Sequence, residues 1–73
     1  MKLDEIARAY VAAVELDEKV RTGAPALADE AGSLRADLHA LLMTALRENG
    51  IPFADRSEAA SLAYKYVQTP VIP

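Results

Sequence analysis

Residues 25–52 read PALADEAGSLRADLHALLMTALRENGIP. Within them Leu27, Ala31, Leu34, Leu38, Leu41 and Ala45 recur at alternating steps of four and three. That spacing lays the six apolar side chains on one narrow stripe of an α-helix. Pro25 suits a first helical position, where its missing N–H is not needed. Asp29 and Glu30 follow near the positive end of the helix dipole. At the other end, Gly50 fits the left-handed residue just beyond a cap. Ile51 can fold back onto Leu46, and Pro52 cannot continue the helix. The pattern predicts a helix over 25–48, roughly 36 Å long at 1.5 Å per residue. Gly32-Ser33 leaves an alternative, in which Ser33 caps a helix beginning at Leu34 and 25–31 forms a separate turn. The stripe keeps its phase through Ala31 and Leu34, which favours one continuous helix.

A helix with one dominant seam needs something to lie against, and the flanking sequence supplies two further helices. Over 3–21, Ile6, Tyr10, Ala13, Leu16 and Val20 share a face at helical spacing, with Ala9 and Val14 beside it. Asp4 and Arg8, Glu15 and Lys19, and Asp17 and Arg21 are spaced i,i+4 with the acid first, the favourable order. Thr22-Gly23-Ala24-Pro25 ends this segment, with Gly23 expected in the left-handed conformation. Over 56–68, Asp55 and Glu58 form an aspartate variant of the capping box. Ala59, Leu62 and Tyr66, and beside them Ala63 and Val67, form adjacent apolar rows. Thr69-Pro70 stops the helix, and an apolar tail, Val71-Ile72-Pro73, follows. The connections are short, so consecutive helices are neighbours. The expected fold is all-α: a single domain over 1–73, made of an antiparallel hairpin with a shorter third helix across it.

Composition narrows the function classes. The 73 residues include fifteen alanines and nine leucines, so much of the apolar content is helix-forming rather than core-filling. A chain this small buries a modest fraction of its surface. It has no cysteine for a disulfide or a thiolate metal site. Well-packed helices, self-association or a partner must supply the remaining stability. Leu42, Met43 and Leu46 widen the apolar arc of the second segment beyond its seam. Leu27, Ala31, Leu34, Leu38, Leu41, Leu42 and Ala45 are therefore the candidate interface of a homodimer.

Net charge is −3 with both signs interspersed. That balance disfavours non-specific nucleic-acid binding, which needs a basic stripe. The N-terminal Met1-Lys2-Leu3-Asp4-Glu5 lacks the apolar core of a signal peptide. No run reaches the roughly 18 apolar residues of a membrane span. A cytoplasmic setting, with no membrane partner, is the expectation.

No constellation for catalysis, metal or cofactor stands out. His39, the one histidine, has no second donor at i±3 or i±4 and reads as a solvent-side or rim residue. The adjacent pairs Asp4/Glu5, Asp17/Glu18 and Asp29/Glu30 splay apart on a helix, and no cleft is predicted to set their pKa values apart. Glu15, Asp17, Glu18, Asp29 and Glu30 gather near the hairpin turn as a candidate acidic docking surface. Tyr64 and Tyr66 point about 200° apart on the third helix, so one is expected in the core and the other at least partly exposed, and both are candidate partner contacts because an exposed tyrosine makes a good interface anchor.

The run Arg56-Ser57-Glu58-Ala59 resembles the start of the first helix in ribbon-helix-helix repressors. Those repressors need a preceding strand, which Gly50-Ile51-Pro52-Phe53 is poorly suited to form, and a second helix afterwards. The run therefore reads as capping chemistry. The sequence points to a small non-enzymatic interaction module, a regulator, adaptor or inhibitor, that binds itself and another protein through helix faces. The alternative is a dimeric DNA-binding regulator using the third helix and the Lys19/Arg21 end.

Overall fold

The computed structural model of the chain describes residues 2–68. They form α1 (Leu3–Gly23), a 3-10 turn (Pro25–Leu27), α2 (Ala28–Glu48) and α3 (Arg56–Gln68). The all-α expectation holds, and among the described residues there is no strand. The tail predicted at 69–73 lies outside the described residues.

The stops have local causes. At the end of α2, Gly50 takes φ +71°. Its N–H donates to the Arg47 carbonyl at 3.0 Å, and the Ile51 N–H donates to the Leu46 carbonyl at 2.9 Å. This is the paired-bond geometry that a left-handed glycine allows. Ile51 packs against the core cluster that contains Leu46. At the end of α1 the expected left-handed Gly23 is corrected. Gly23 is the last helical residue, and Gly50 is the only described residue with positive φ. The chain instead turns at Ala24, held at φ −146°. Its N–H still closes onto Val20 at 2.8 Å. Pro25 disfavours a helical conformation at the residue before it, so the proline ends α1. The same proline opens α2 with a 3-10 turn rather than a full α-turn, and α2 proper begins at Ala28. Gly32-Ser33 does not break it. At α3 the Asp55 carboxylate caps the helix, accepting the Glu58 N–H at 2.9 Å.

The hairpin is antiparallel. Asp17 of α1 meets Arg35 of α2, and Tyr10, two turns earlier, meets His39. α1 is the central element: it packs most extensively on α2, and α3 packs mainly on α1. The molecule measures 38 × 31 × 20 Å. The thinnest dimension is about two helix diameters.

The core joins Leu3, Ile6, Tyr10, Val11 and Val14 of α1 to Leu42 and Leu46 of α2. Alanines sit where helices approach most closely: Ala7, Ala45, Ala59 and Ala63 are fully buried. Because α3 presents the Ala59–Ala63 row to α1, its tyrosines fall to the two sides of that row. Tyr64 and Tyr66 are both half-buried against the core cluster, so a partly exposed tyrosine is present but the expected core tyrosine is corrected. Among the described residues no helix is long and apolar enough to cross a membrane.

Candidate functional site

Two surface features stand out, and both follow from how α2 is rotated. Its inner face is not the seam read from the sequence but a row beside it. Ala31, Leu42, Ala45 and Leu46 are buried, with Arg35 and Leu38 half-buried between them. Of the seven candidate interface residues, Ala31, Leu42 and Ala45 therefore serve the monomer's own core. Leu27, Leu34 and Leu41 point outward, 54, 44 and 39% exposed. Leu16 of α1, expected on the inner face, joins them at 46%. Leu16, Val20, Leu27, Ala31 and Leu34 line an open apolar cleft of about 220 Å³ between α1 and α2, with Glu30 at its edge. Leu41 continues the line along α2, seven residues beyond Leu34. Glu30 and Asp37 flank it on the side away from α1, each one turn from Leu34.

The second feature is polar, and the sequence reading missed it. Asp17, taken as part of an acidic surface, is 2% exposed. Its carboxylate accepts from Arg21 Nε at 3.1 Å and from Arg35 Nη1 at 3.0 Å. Burial pushes this carboxyl up, but the hydrogen bonds and charges of Arg21 and Arg35 outweigh it and hold the pKa below the ordinary aspartate value. Arg35 is shifted the other way: its bond to Asp17 raises it, burial opposes, and the Tyr10 hydroxyl adds to the rise. The remaining acids of the predicted surface, Glu15, Glu18, Asp29 and Glu30, are exposed as expected.

Around Asp17 opens a cleft of about 440 Å³. Arg21 of α1, Arg35 of α2 and Arg56 of α3 line it, with Tyr10, His39 and Ser57. Gly32 and Ala36, members of a row of small residues along α2, form one wall. A Cβ placed on Gly32 would lie 3.7 Å from Arg21 Nη2, an ordinary contact. His39 is half-buried at the rim of this cleft. Its ring centroid lies 5.0 Å from that of Tyr10, and Nε2 lies 3.1 Å from the Arg56 carbonyl oxygen. A carbonyl only accepts, so Nε2 carries the proton in this contact.

The signal for Asp17 was present in the sequence. Leu3, Ile6, Tyr10, Ala13, Asp17 and Val20 step by three and four along one row of α1, with Asp17 at a core position. Among the tyrosines of α3, Tyr64 is raised chiefly by burial. The charges of Glu18 and Glu15 add to the shift, as does neighbouring Tyr10, and Arg35 opposes it.

The chain matches no protein-family model, no curated protein and no solved structure.

Proposed function

We propose that this chain is a non-enzymatic interaction module that docks an apolar helix face on α1 and α2, with a second copy of itself as the first occupant. The observation that carries the reading is the exposed line Leu27, Leu34 and Leu41, with Leu16 beside it. Aliphatic residues scattered singly over a surface need no explanation, but a contiguous line with a cleft does. The spacing also suits a two-fold pair. Leu27 and Leu41 lie symmetrically about Leu34, so antiparallel pairing of α2 with its copy sets Leu34 near the axis. Each Leu27 then meets the other copy's Leu41. The two hairpins together make a four-helix bundle.

Charge separates this occupant from a heterologous one. In the antiparallel pair the flank carrying Glu30 and Asp37 meets the same flank of the second copy, acid against acid. Added salt screens that repulsion, so self-association should strengthen with ionic strength. A different protein whose docking helix carries lysine or arginine beside its apolar row would show the opposite dependence. Sedimentation velocity over a wide concentration range, at low and high sodium chloride, reads this directly. The Leu34→Glu, Leu41→Glu double variant should stay folded by circular dichroism and remain monomeric throughout. A wild-type chain that stays monomeric at the highest concentration in both salts would refute self-docking.

A further inference from the structure

We propose that the arginine-lined cleft above Asp17 binds the phosphate group of a small phosphorylated molecule. Three arginines from three separate helices, Arg21, Arg35 and Arg56, line one concave space, and the guanidinium groups of the first two are fixed there by Asp17. The single carboxylate among them, Asp17, neutralises one charge of the three, leaving the cleft formally +2 in a chain of net charge −3. A lone buried carboxylate is satisfied by one bidentate arginine. Here it takes a single N–H from each of two, Nε of Arg21 and Nη1 of Arg35. Each arginine keeps further N–H donors out of the five it carries. Asp17 thus acts from the floor of the cleft, pinning two guanidinium groups before any ligand arrives. That pinning lowers the ordering cost of binding.

The chemistry favours phosphate over carboxylate. A planar carboxylate is served by one forked arginine, whereas a tetrahedral dianion offers oxygens to donors arriving from several directions. Three cations from three helices suit the second. Ser57, beside Arg56 in the first turn of α3, brings a hydroxyl and the positive end of a helix dipole to the same rim. A further carboxylate at this end of α3, that of Asp55, is engaged as the helix cap through Oδ1. The volume, about 440 Å³, exceeds what phosphate alone needs and lies in the range of small-ligand sites. The tilted Tyr10–His39 pair, with Ala36 and Ala60, offers the organic remainder an apolar wall.

The test is a titration of the full chain with sodium pyrophosphate and with inorganic phosphate at constant ionic strength, followed by ¹H–¹⁵N NMR including the arginine Nε resonances. Pyrophosphate should produce saturable shifts at Arg21, Arg35, Arg56, Gly32 and Ser57, half-complete below ~1 mM. Arg56→Gln should weaken binding about tenfold or more, the loss expected for one charge-assisted contact. This side chain is exposed, and its backbone carbonyl still receives His39, so the variant should melt with the wild type. Arg47→Gln, outside the cleft, should leave binding unchanged. Shifts that stay linear and unsaturated to the highest pyrophosphate concentration would overturn the proposal, as would equal weakening by Arg47→Gln. A random-sequence duplex that binds more tightly than pyrophosphate, per phosphate, would assign the cations to nucleic acid and overturn it too.

Discussion

Two adjacent leucines of α2 offer a sharp check on how the helix is rotated. Leu42 is fully buried, whereas Leu41 is 39% exposed. Truncating either to alanine removes three carbons, roughly 2.4 kcal/mol of transfer free energy at about 0.8 kcal/mol per carbon. At Leu42 the surrounding side chains cannot collapse fully, and the residual cavity brings the cost to about 3–4 kcal/mol. At Leu41 part of the side chain is already in water and solvent fills the gap, so the cost falls to about 1 kcal/mol. The difference is large for this chain. At about 0.05–0.15 kcal/mol per residue, 73 residues yield about 4–11 kcal/mol in total. In thermal melts each kcal/mol corresponds to about 4–8 °C for a domain of this size. Leu42→Ala should therefore melt at least about 8 °C below Leu41→Ala. Melts followed at 222 nm, at the lowest workable concentration, keep dimerisation out of the comparison. Equal losses, or a larger loss at Leu41, would place the inner face of α2 one residue earlier and refute the packing described here. A Leu41→Ala cost that grows with protein concentration would instead report the docked pair.

Other outcomes follow from single residues. The folded Asp17 carboxyl titrates below its ordinary value, so around pH 4 the unfolded chain holds more protons at this site than the folded one. Its contribution to stability is complete above that pH and drains as pH falls through the folded pKa. The urea midpoint should drop more between pH 5 and pH 3 for the wild type than for Asp17→Asn, and identical slopes would remove Asp17 from the acid response. Gly50 has positive φ with open space where a Cβ would stand, so Gly50→Ala suffers only backbone strain. The loss should be about 1 kcal/mol by urea denaturation, and a neutral substitution would show that the turn after α2 can relax.

The helices were legible in the sequence because their signals are local. The glycine stop at Gly50, the Asp55 cap and the 3.6-residue periodicity each lie within one or two turns. What the sequence obscured is rotation. On α2 the apolar residues occupy two neighbouring rows, Leu34–Leu41, continued by Leu27 in the preceding turn, and Leu38–Leu42–Ala45, and their wide arc is compatible with burying either. The choice rests on α1 and α3, whose contacts are long-range. The Arg21–Asp17 pair has the same blind spot. Asp17 sits at a core position of its row, but its i,i+4 spacing to Arg21 also reads as a surface pair, and its second partner, Arg35, is eighteen residues away. His39 was read from its own helix neighbours, whereas its partners, Tyr10 and the Arg56 carbonyl, belong to α1 and α3.

The ion cluster around the buried Asp17 and the exposed leucines lie on neighbouring rows of the same helix. Successive residues on a helix differ by about 100° in direction. With Arg35 directed at Asp17, its neighbour Leu34 faces toward solvent, and Leu41, seven residues on in the same helix, goes the same way. A chain selected only for monomer stability could place an apolar residue at each of positions 17 and 35, since well-packed apolar groups often match or exceed a buried ion pair in stability. Asp17 and Arg35 instead make a polar contact in the rotation of α2 that buries Leu42 and Leu46 and leaves a leucine line outside. The proposed docking face and the proposed anion cleft are then not independent surfaces. Arg35, which lines the cleft, and Leu34, at the centre of the leucine line, are adjacent residues about 100° apart on α2, so the two surfaces adjoin.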